Sequence, residues 1–573
     1  MGTPTPPGQN GTIDVKPSDL FRVSGLVALQ QGVLNRGAKD LAEALDMYPD
    51  AGGYGTSPQA FSTAYMKVGN RFLEVWAKSV VSTGGAAVGF TSTANNYAKA
   101  EAAAHPSGTK QPVTRPLPQV IEKAPGYGQV PDLKWGDNDG GDDILRTLLE
   151  GVPEPVRDVL RPVVKHAFRM GKVADVYPYP QQHYLNSLSK GWMATMMCLS
   201  MVESSLTAQV GTITNQTNTE WHDAMRTFCS SLWGTTAWGK STAGYEWKHD
   251  TASSSAGATH PVMTVLFDTA KKIGDLLYEY AQAAVTLNGD VWDVYMDAVR
   301  EALPKIDLKD GLDFGDVKGF VKGVVKVGGQ LGAGIVLNID TGKLNTIVNT
   351  YNTRLDGLTS QFGALTEALD EAHRSAPTFR AESARAQSFG ARALNEFKKE
   401  HKWTNPEDTK NGVYHIDLAS HEYLNGSHSL DKHVGKTDEQ LAQRLRDQGG
   451  PPTPSWPHGK PSVGGASTFE SMEKAQGLTQ HTIDKNAMAI KAWLDGPPEP
   501  KNTDPPKAFE STAPEGEYSG RSVTKQPNDE NQSGFKNHGM DAQAISVKGV
   551  RTVLKYDSNL DPPFVVLTSM PTA

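Results

Sequence analysis

The chain has 573 residues, with 56 Lys and Arg against 64 Asp and Glu for a net charge of −8, 38% hydrophobic residues and a mean hydropathy of −0.45. This length exceeds one domain and predicts three or four, and the acidic balance argues against a broad nucleic-acid-binding surface while leaving room for a local cationic cleft. No apolar run reaches the roughly 20 residues of a bilayer-spanning helix, and the Pro, Gly and Thr-rich start lacks the basic and apolar stretches of a Sec signal peptide.

Residues 12–104 read as a helical hairpin. Leu20, Val23, Leu26, Leu29 and Leu34 mark one apolar stripe, a turn follows through Tyr48 to Gly55, and Phe61, Tyr65, Val68, Phe72 and Trp76 mark a second stripe. Near its end, Tyr97 and Glu101 stand four apart. The pair resembles the Tyr-x-x-x-Asp/Glu export signal of type VII secretion substrates, and the hairpin resembles the WXG100 and related helical families. It departs from them in carrying Gly52-Gly-Tyr-Gly55 where they have Trp-x-Gly. The resemblance implies an export module and a partner in the type VII machinery or a WXG100-like protein.

Residues 105–140 are rich in Pro, Gly and Asp and read as a linker. A second helical module is expected over 141–305, with helical spacing at 143–173 and again through Trp192, Met196, Leu199, Trp221, Met225, Phe228, Leu232, Leu276, Leu277, Tyr280, Trp292 and Tyr295, interrupted at 233–239. Its Met and Trp stripe reads as packing core. Cys198 and Cys229 have no metal-ligand spacing and read as free thiols, with a disulfide left open. Residues 306–412 are expected to be a connector and stalk: the glycine-rich 315–334 as a flexible joint, then helical periodicity at Leu344, Ile347, Tyr351, Leu355, Leu358, Phe362, Leu365 and Leu369.

Residues 413–573 change character. Gly435 suits a helix C′ position, and Thr437 with Gln440 has the form of a capping box, so one short helix should end near His433 and another begin at Asp438. A second capping box is expected at Ser467 and Glu470, and a helix from about Thr479 with Ile483, Ala487, Ile490 and Leu494 on one face. Short β-branched runs at 521–524, 547–556 and 564–569 predict strands. The fold class expected is a multidomain chain, mainly α in its N-terminal modules and α+β at its C-terminus.

The break at Gly435 has a chemical consequence. On one helix His433 and Arg444 would lie roughly 16 Å apart, whereas a reversed chain lets an imidazole and a guanidinium converge at one cleft surface, as phosphodiester cleavage requires.

The segment His428-Ser-Leu-Asp-Lys-His433-Val-Gly435-Lys-Thr437, then Leu441 and Arg444-Leu445, Ala466-Ser-Thr-Phe469, and Phe564-Val-Val-Leu-Thr568-Ser-Met570-Pro571 resembles the bacterial RNase A-like toxin domain of contact-dependent inhibition proteins. The resemblance covers about 413–573. It implies catalytic roles for His433 and Arg444 and a site role for Thr568, an RNA substrate, a cognate immunity protein and no cofactor. Met570 stands where the family commonly has tyrosine, which removes a hydrogen-bond donor.

The reading is a secreted polymorphic toxin, exported without a Sec signal by a type VII-like route, that acts in a target cell's cytoplasm by metal-independent transphosphorylation. The second proton-transfer group is open. His428 is the nearest candidate, with His415, His421, His481 and His538 also in the domain. Arg444 has an alternative as a surface ion pair to Asp447 or Glu439, and Thr568 as an ordinary strand threonine. Rival readings are a metal-dependent DNase of HNH-like type, for which the His spacing is poor, and a non-enzymatic interaction protein.

Overall fold

The computed structural model describes residues 15–133 apart from 54, 104 and 106–108, then 178–215, 262–302, 338–397, 410–496, 505–528 and 532–573, with isolated positions at 224, 225, 228 and 408. The expected helix at 143–173, the interruption at 233–239, Trp221, Leu232, Cys229 and the glycine-rich 315–334 lie outside the described residues.

Among the described residues, seven helices build the N-terminal part: α1 (Pro17–Asp46), α2 (Thr56–Ala103), α3 (Gln182–Gly211), α4 (Val262–Ala302), α5 (Thr341–Thr359), α6 (Phe362–Ser375) and α7 (Phe379–Phe397). Pro17 opens α1 at a position where its missing N–H costs nothing, and Leu20, Val23, Val27, Leu34, Ala38, Leu41 and Leu45 form a buried stripe. The hairpin expected at the N-terminus is α1 and α2. Its turn is closed by Tyr280 of α4, whose hydroxyl donates to Gly52 O at 2.6 Å.

The described residues expected to form a stalk do not stand clear of the rest. Helices α5, α6 and α7 pack on α2, with Leu355, Leu369, Ala384 and Leu394 wholly buried. The cause lies in α2: a Cβ at Gly85 would come within 2.3 Å of Phe379 O, and one at Gly89 within 2.3 Å of Ser383 O. Glycine costs about 1 kcal/mol in a helix, and here its absent side chain lets α7 lie against the backbone of α2.

The described part of the expected linker, 109–133, is likewise held. It runs over the hairpin without regular structure, its backbone met by side chains of α1 and α2: Gln31 bonds Ile121 through both its amide atoms (2.8 and 2.9 Å), Asn70 accepts from Val130 N (2.7 Å) and Ser62 from Leu133 N (2.9 Å). Composition signalled a linker because the segment has no periodicity. The bonds that fix it come from residues 60 to 90 positions away.

The C-terminal part begins with α8 (Leu418–His421), followed by α9 (Ser429–His433), α10 (Asp438–Asp447), β1 (Gly465–Thr468), α11 (Met472–Lys485), α12 (Ala487–Asp495), β2 (Lys507–Thr512), β3 (Gly520–Thr524), α13 (Phe535–His538), β4 (Ile545–Val547), β5 (Gly549–Tyr556) and β6 (Phe564–Thr572). The strands form two antiparallel sheets, ordered β1-β3-β4 and β2-β5-β6. Helical modules followed by an α+β region is the class expected. Two local expectations fail: Ser467 lies in β1, the cap of α11 is Ser471, whose side chain accepts from Lys474 N, and the expected single helix is two, broken at Asn486.

Leu441, Ala442 and Leu445 of α10 pack with Ala466, Val523, Phe535 and Ala542 into a small core against the first sheet. A larger core is continuous from Val15 in the scaffold to Val566 in β6. The C-terminal region is therefore seated on the helices rather than tethered to them.

Candidate active site

Helix α9 ends at His433 and α10 begins at Asp438, with the reciprocal Thr437 and Gln440 capping bonds in place. Gly435 between them has φ +65, and a Cβ there would come within 2.6 Å of Ala381 N, so both conformation and space require glycine. The turn is stitched to the end of β1: Phe469 N donates to His433 O (2.7 Å), and Gly435 N to Phe469 O (2.9 Å).

This arrangement brings His433 and Arg444 together. Arg444 Nη1 stands 3.4 Å from His433 Nδ1 and 3.3 Å from Nε2, so the guanidinium lies against the ring. The same nitrogen donates to Lys432 O at 3.3 Å. Neither alternative ion pair forms among the described residues; Asp447 is taken by Arg446 at 2.9 Å. His433 Nδ1 is 2.9 Å from Ser467 O, and since a carbonyl only accepts, Nδ1 carries the proton and Nε2 the lone pair.

His433 is 2% exposed and Arg444 is half-buried, so the histidine lies below the surface, not at the mouth of a cleft as expected. Burial, reinforced by the Arg444 charge, pushes the imidazole pKa well below its ordinary value. His428 joins the pair: its ring centroid is 6.4 Å from that of His433, and its Nδ1 donates to Gly426 O at 2.8 Å. Burial lowers its pKa as well.

Strand β6 carries Thr568 into register with the start of α9. Leu567 O accepts the His428 amide at 3.0 Å, and Ser569 N donates to Ser429 Oγ at 2.9 Å. Thr568 Oγ1 and Arg444 Nε are buried and have no hydrogen-bond partner among the described residues. Two orphaned donors beside two histidines suit a group with several acceptor oxygens. Met570 is half-buried in β6, opposite Arg551.

The other histidines go elsewhere. His421 Nδ1 accepts from Val566 N at 3.0 Å and is pushed down to about 4 by burial; His415 faces Asp408, His481 reaches Thr512 O, and His538 is exposed. Among the described residues no three His, Cys, Asp or Glu converge to hold a metal ion. A cavity of about 620 Å³ opens beside the turn, lined by Lys78, Arg380, Lys436, Lys474 and Arg521 among others, but neither His433 nor Arg444 lines it.

At the other proposed site, Tyr97 is 2% exposed and donates to Ala391 O at 3.0 Å, while Glu101 is exposed and pairs with Lys110 at 3.0 Å. The two do not form one exposed face. Sequence reasoning missed Ser467, whose carbonyl orients His433, and it missed Glu371 and Arg385 of α6 and α7, which bond to α10 and α9. Only folding reveals them, because they lie 34 to 75 residues from their partners.

Residues 427–571 match the family described as the bacterial CdiA-CT RNAse A domain, about a quarter of the chain. The crystal structure of a CdiA-CT/CdiI complex from Y. kristensenii 33638 is similar at 21% identity, covering 25% of this chain and 96% of that one, with a TM-score of 0.18. No curated protein matches the chain. The C-terminal region thus carries an RNase A-like toxin domain of the contact-dependent inhibition type.

Proposed function

We propose that the chain is a secreted polymorphic toxin whose C-terminal domain cleaves RNA by metal-independent transphosphorylation. The observation that carries this reading is the placement of His433, with Nδ1 at 2.9 Å from Ser467 O and the Arg444 guanidinium against its ring. In the reaction, Nε2 of His433 takes the proton of the ribose 2′-OH, and that oxygen attacks the adjacent phosphorus. The P–O5′ bond breaks as His428, in its cationic form, protonates the departing 5′ oxygen, leaving a 2′,3′-cyclic phosphate. A phosphate entering the site draws the guanidinium off the imidazole, freeing Nε2. Arg444 and the Thr568 hydroxyl then hold the non-bridging oxygens, on which charge builds in the transition state.

Such an activity requires protection of the producing cell, hence a cognate immunity protein that blocks the site. Export by a type VII-like route is supported by the hairpin and the Tyr97 and Glu101 spacing alone. The test is cleavage of RNA by the full chain in EDTA, with end-group analysis. We expect 2′,3′-cyclic phosphate ends at undiminished rate. Cleavage that chelation abolishes supports a metal-dependent nuclease instead, and no cleavage in either condition supports a non-enzymatic interaction protein.

A further inference from the structure

Helices α9 and α10 contain 5 and 10 residues, below the roughly 12 to 15 at which an isolated helix holds itself in water. Their placement must come from outside, and the contacts are specific. Asp431 precedes His433 by two residues, about 200° around a helix turning about 100° per residue. On that opposite face Arg385 of α7 grips Asp431, with Nη2 at 2.5 Å and Nε at 2.7 Å from Oδ1. Arg446 follows Arg444 by two residues, again about 200° away, and meets Glu371 of α6 at 2.8 Å; Gln443 donates to the same carboxylate.

Between these pairs, Thr378 Oγ1 donates to Gly435 O at 2.6 Å, and Gln440 Nε2 to Ala376 O at 2.8 Å. Glu371 is fully buried and Arg385 is 7% exposed, so neither charge exchanges its partner for water without cost. Burial alone would raise the Glu371 pKa, yet Arg446 and Arg374 hold it down at about 2. The grip is therefore on the rear of both helices, leaving the faces that carry His433 and Arg444 uncovered by it.

We infer that Glu371 and Arg385, which lie in the scaffold and outside the matched 427–571, are positioning residues of the ribonuclease site: they fix α9 and α10 from behind so that His433 and Arg444 meet. This rests on the ribonuclease reading above. On this reading the scaffold completes the site.

The test uses the full chain with Arg385→Ala, Arg385→Lys and Glu371→Gln, followed by dinucleotide turnover, melting temperature and amide hydrogen exchange over residues 429–447. Arg385→Ala and Glu371→Gln should lower kcat about 10- to 100-fold, as expected for a misplaced catalytic group, with KM little changed. Exchange over 429–447 should quicken while α1 to α4 keep their protection, and Arg385→Lys should recover most of both readouts because it keeps the charge. Unchanged exchange in Arg385→Ala overturns the grip, and faster exchange with wild-type kcat overturns the positioning role. A wild-type chain that cleaves no RNA would sink the ribonuclease reading instead, and the exchange measurement would still decide whether the scaffold holds the helices.

Discussion

His433 Nδ1 lies 2.9 Å from the carbonyl oxygen of Ser467, a residue 34 positions further along the chain, and this contact decides which ring nitrogen can act as a base. With the proton held at Nδ1, the lone pair is at Nε2, the atom that Arg444 covers at 3.3 Å. In the proposed mechanism, base and anion-holding group thus start at one point, and an entering phosphate would separate them.

That coincidence predicts non-additive mutants. His433→Ala and Arg444→Ala should each lower dinucleotide turnover by roughly 10² to 10⁴-fold, and the double mutant should be little worse than the poorer single one, as for groups that act as a unit. Because His433 is buried, melting temperatures must be measured alongside. Near wild-type turnover in either single mutant would refute that residue's role.

The pH profile follows from the same burial. The His433 and His428 pKa values are both displaced downward, the first further. A neutral base and a cationic acid coexist best between the two apparent values, which belong to the coupled pair. The bell of kcat/KM should therefore peak on the acid side of about 6.5, the ordinary histidine value. A maximum above neutrality would contradict the assignment.

Thr568→Val separates function from stability. The hydroxyl is buried with no partner among the described residues, so replacing it with a methyl should leave the melting temperature unchanged or slightly higher. Turnover should nonetheless fall, by up to roughly 10²-fold for the loss of one stabilising donor. Unaltered turnover would make Thr568 an ordinary strand residue.

Glu382, fully buried on α7, is raised to about 8, chiefly by burial, with Arg385 opposing. A carboxyl raised in the folded state contributes stability that is present below its unfolded value of about 4.5 and lost as pH rises through about 8. Glu382→Gln should match the wild type near pH 5 and exceed it near pH 8 by on the order of a few kcal/mol. Melting curves at both pH values measure this, and equal stability at pH 8 would show that Arg385 neutralises the carboxylate fully.

For export, Tyr97 and Glu101 are not equivalent probes. Removing the buried Tyr97 ring should cost stability by about 3 to 5 kcal/mol, as for large core truncations, whereas Glu101 is exposed. Glu101→Ala is thus the clean variant: it should block release into the culture supernatant without altering ribonuclease activity. Normal secretion of that variant would remove the basis for a type VII route.

Local signals in the sequence were sufficient for the two short helices around Gly435, the Thr437 cap, the N-terminal hairpin and the last strands, because caps, positive-φ glycine and periodicity act within a few residues. The candidates His433, Arg444 and Thr568 came instead from the resemblance of the motif, and His428 from its nearness in the chain; the fold gathers all four around α9 and β6. The sequence misled where a short signal had a long-range competitor: Ser467 and Glu470 are spaced as a capping box, but Ser467 pairs with Ser522 in a strand. Tertiary structure alone decided that the described 341–397 packs down instead of projecting, that Tyr97 is buried, and that Glu371 and Arg385 bond to α10 and α9 from the rear. Each depends on backbones that meet only at glycines such as Gly85 and Gly89, or on buried charges that find partners tens of residues away, and neither leaves a pattern within one stretch of chain.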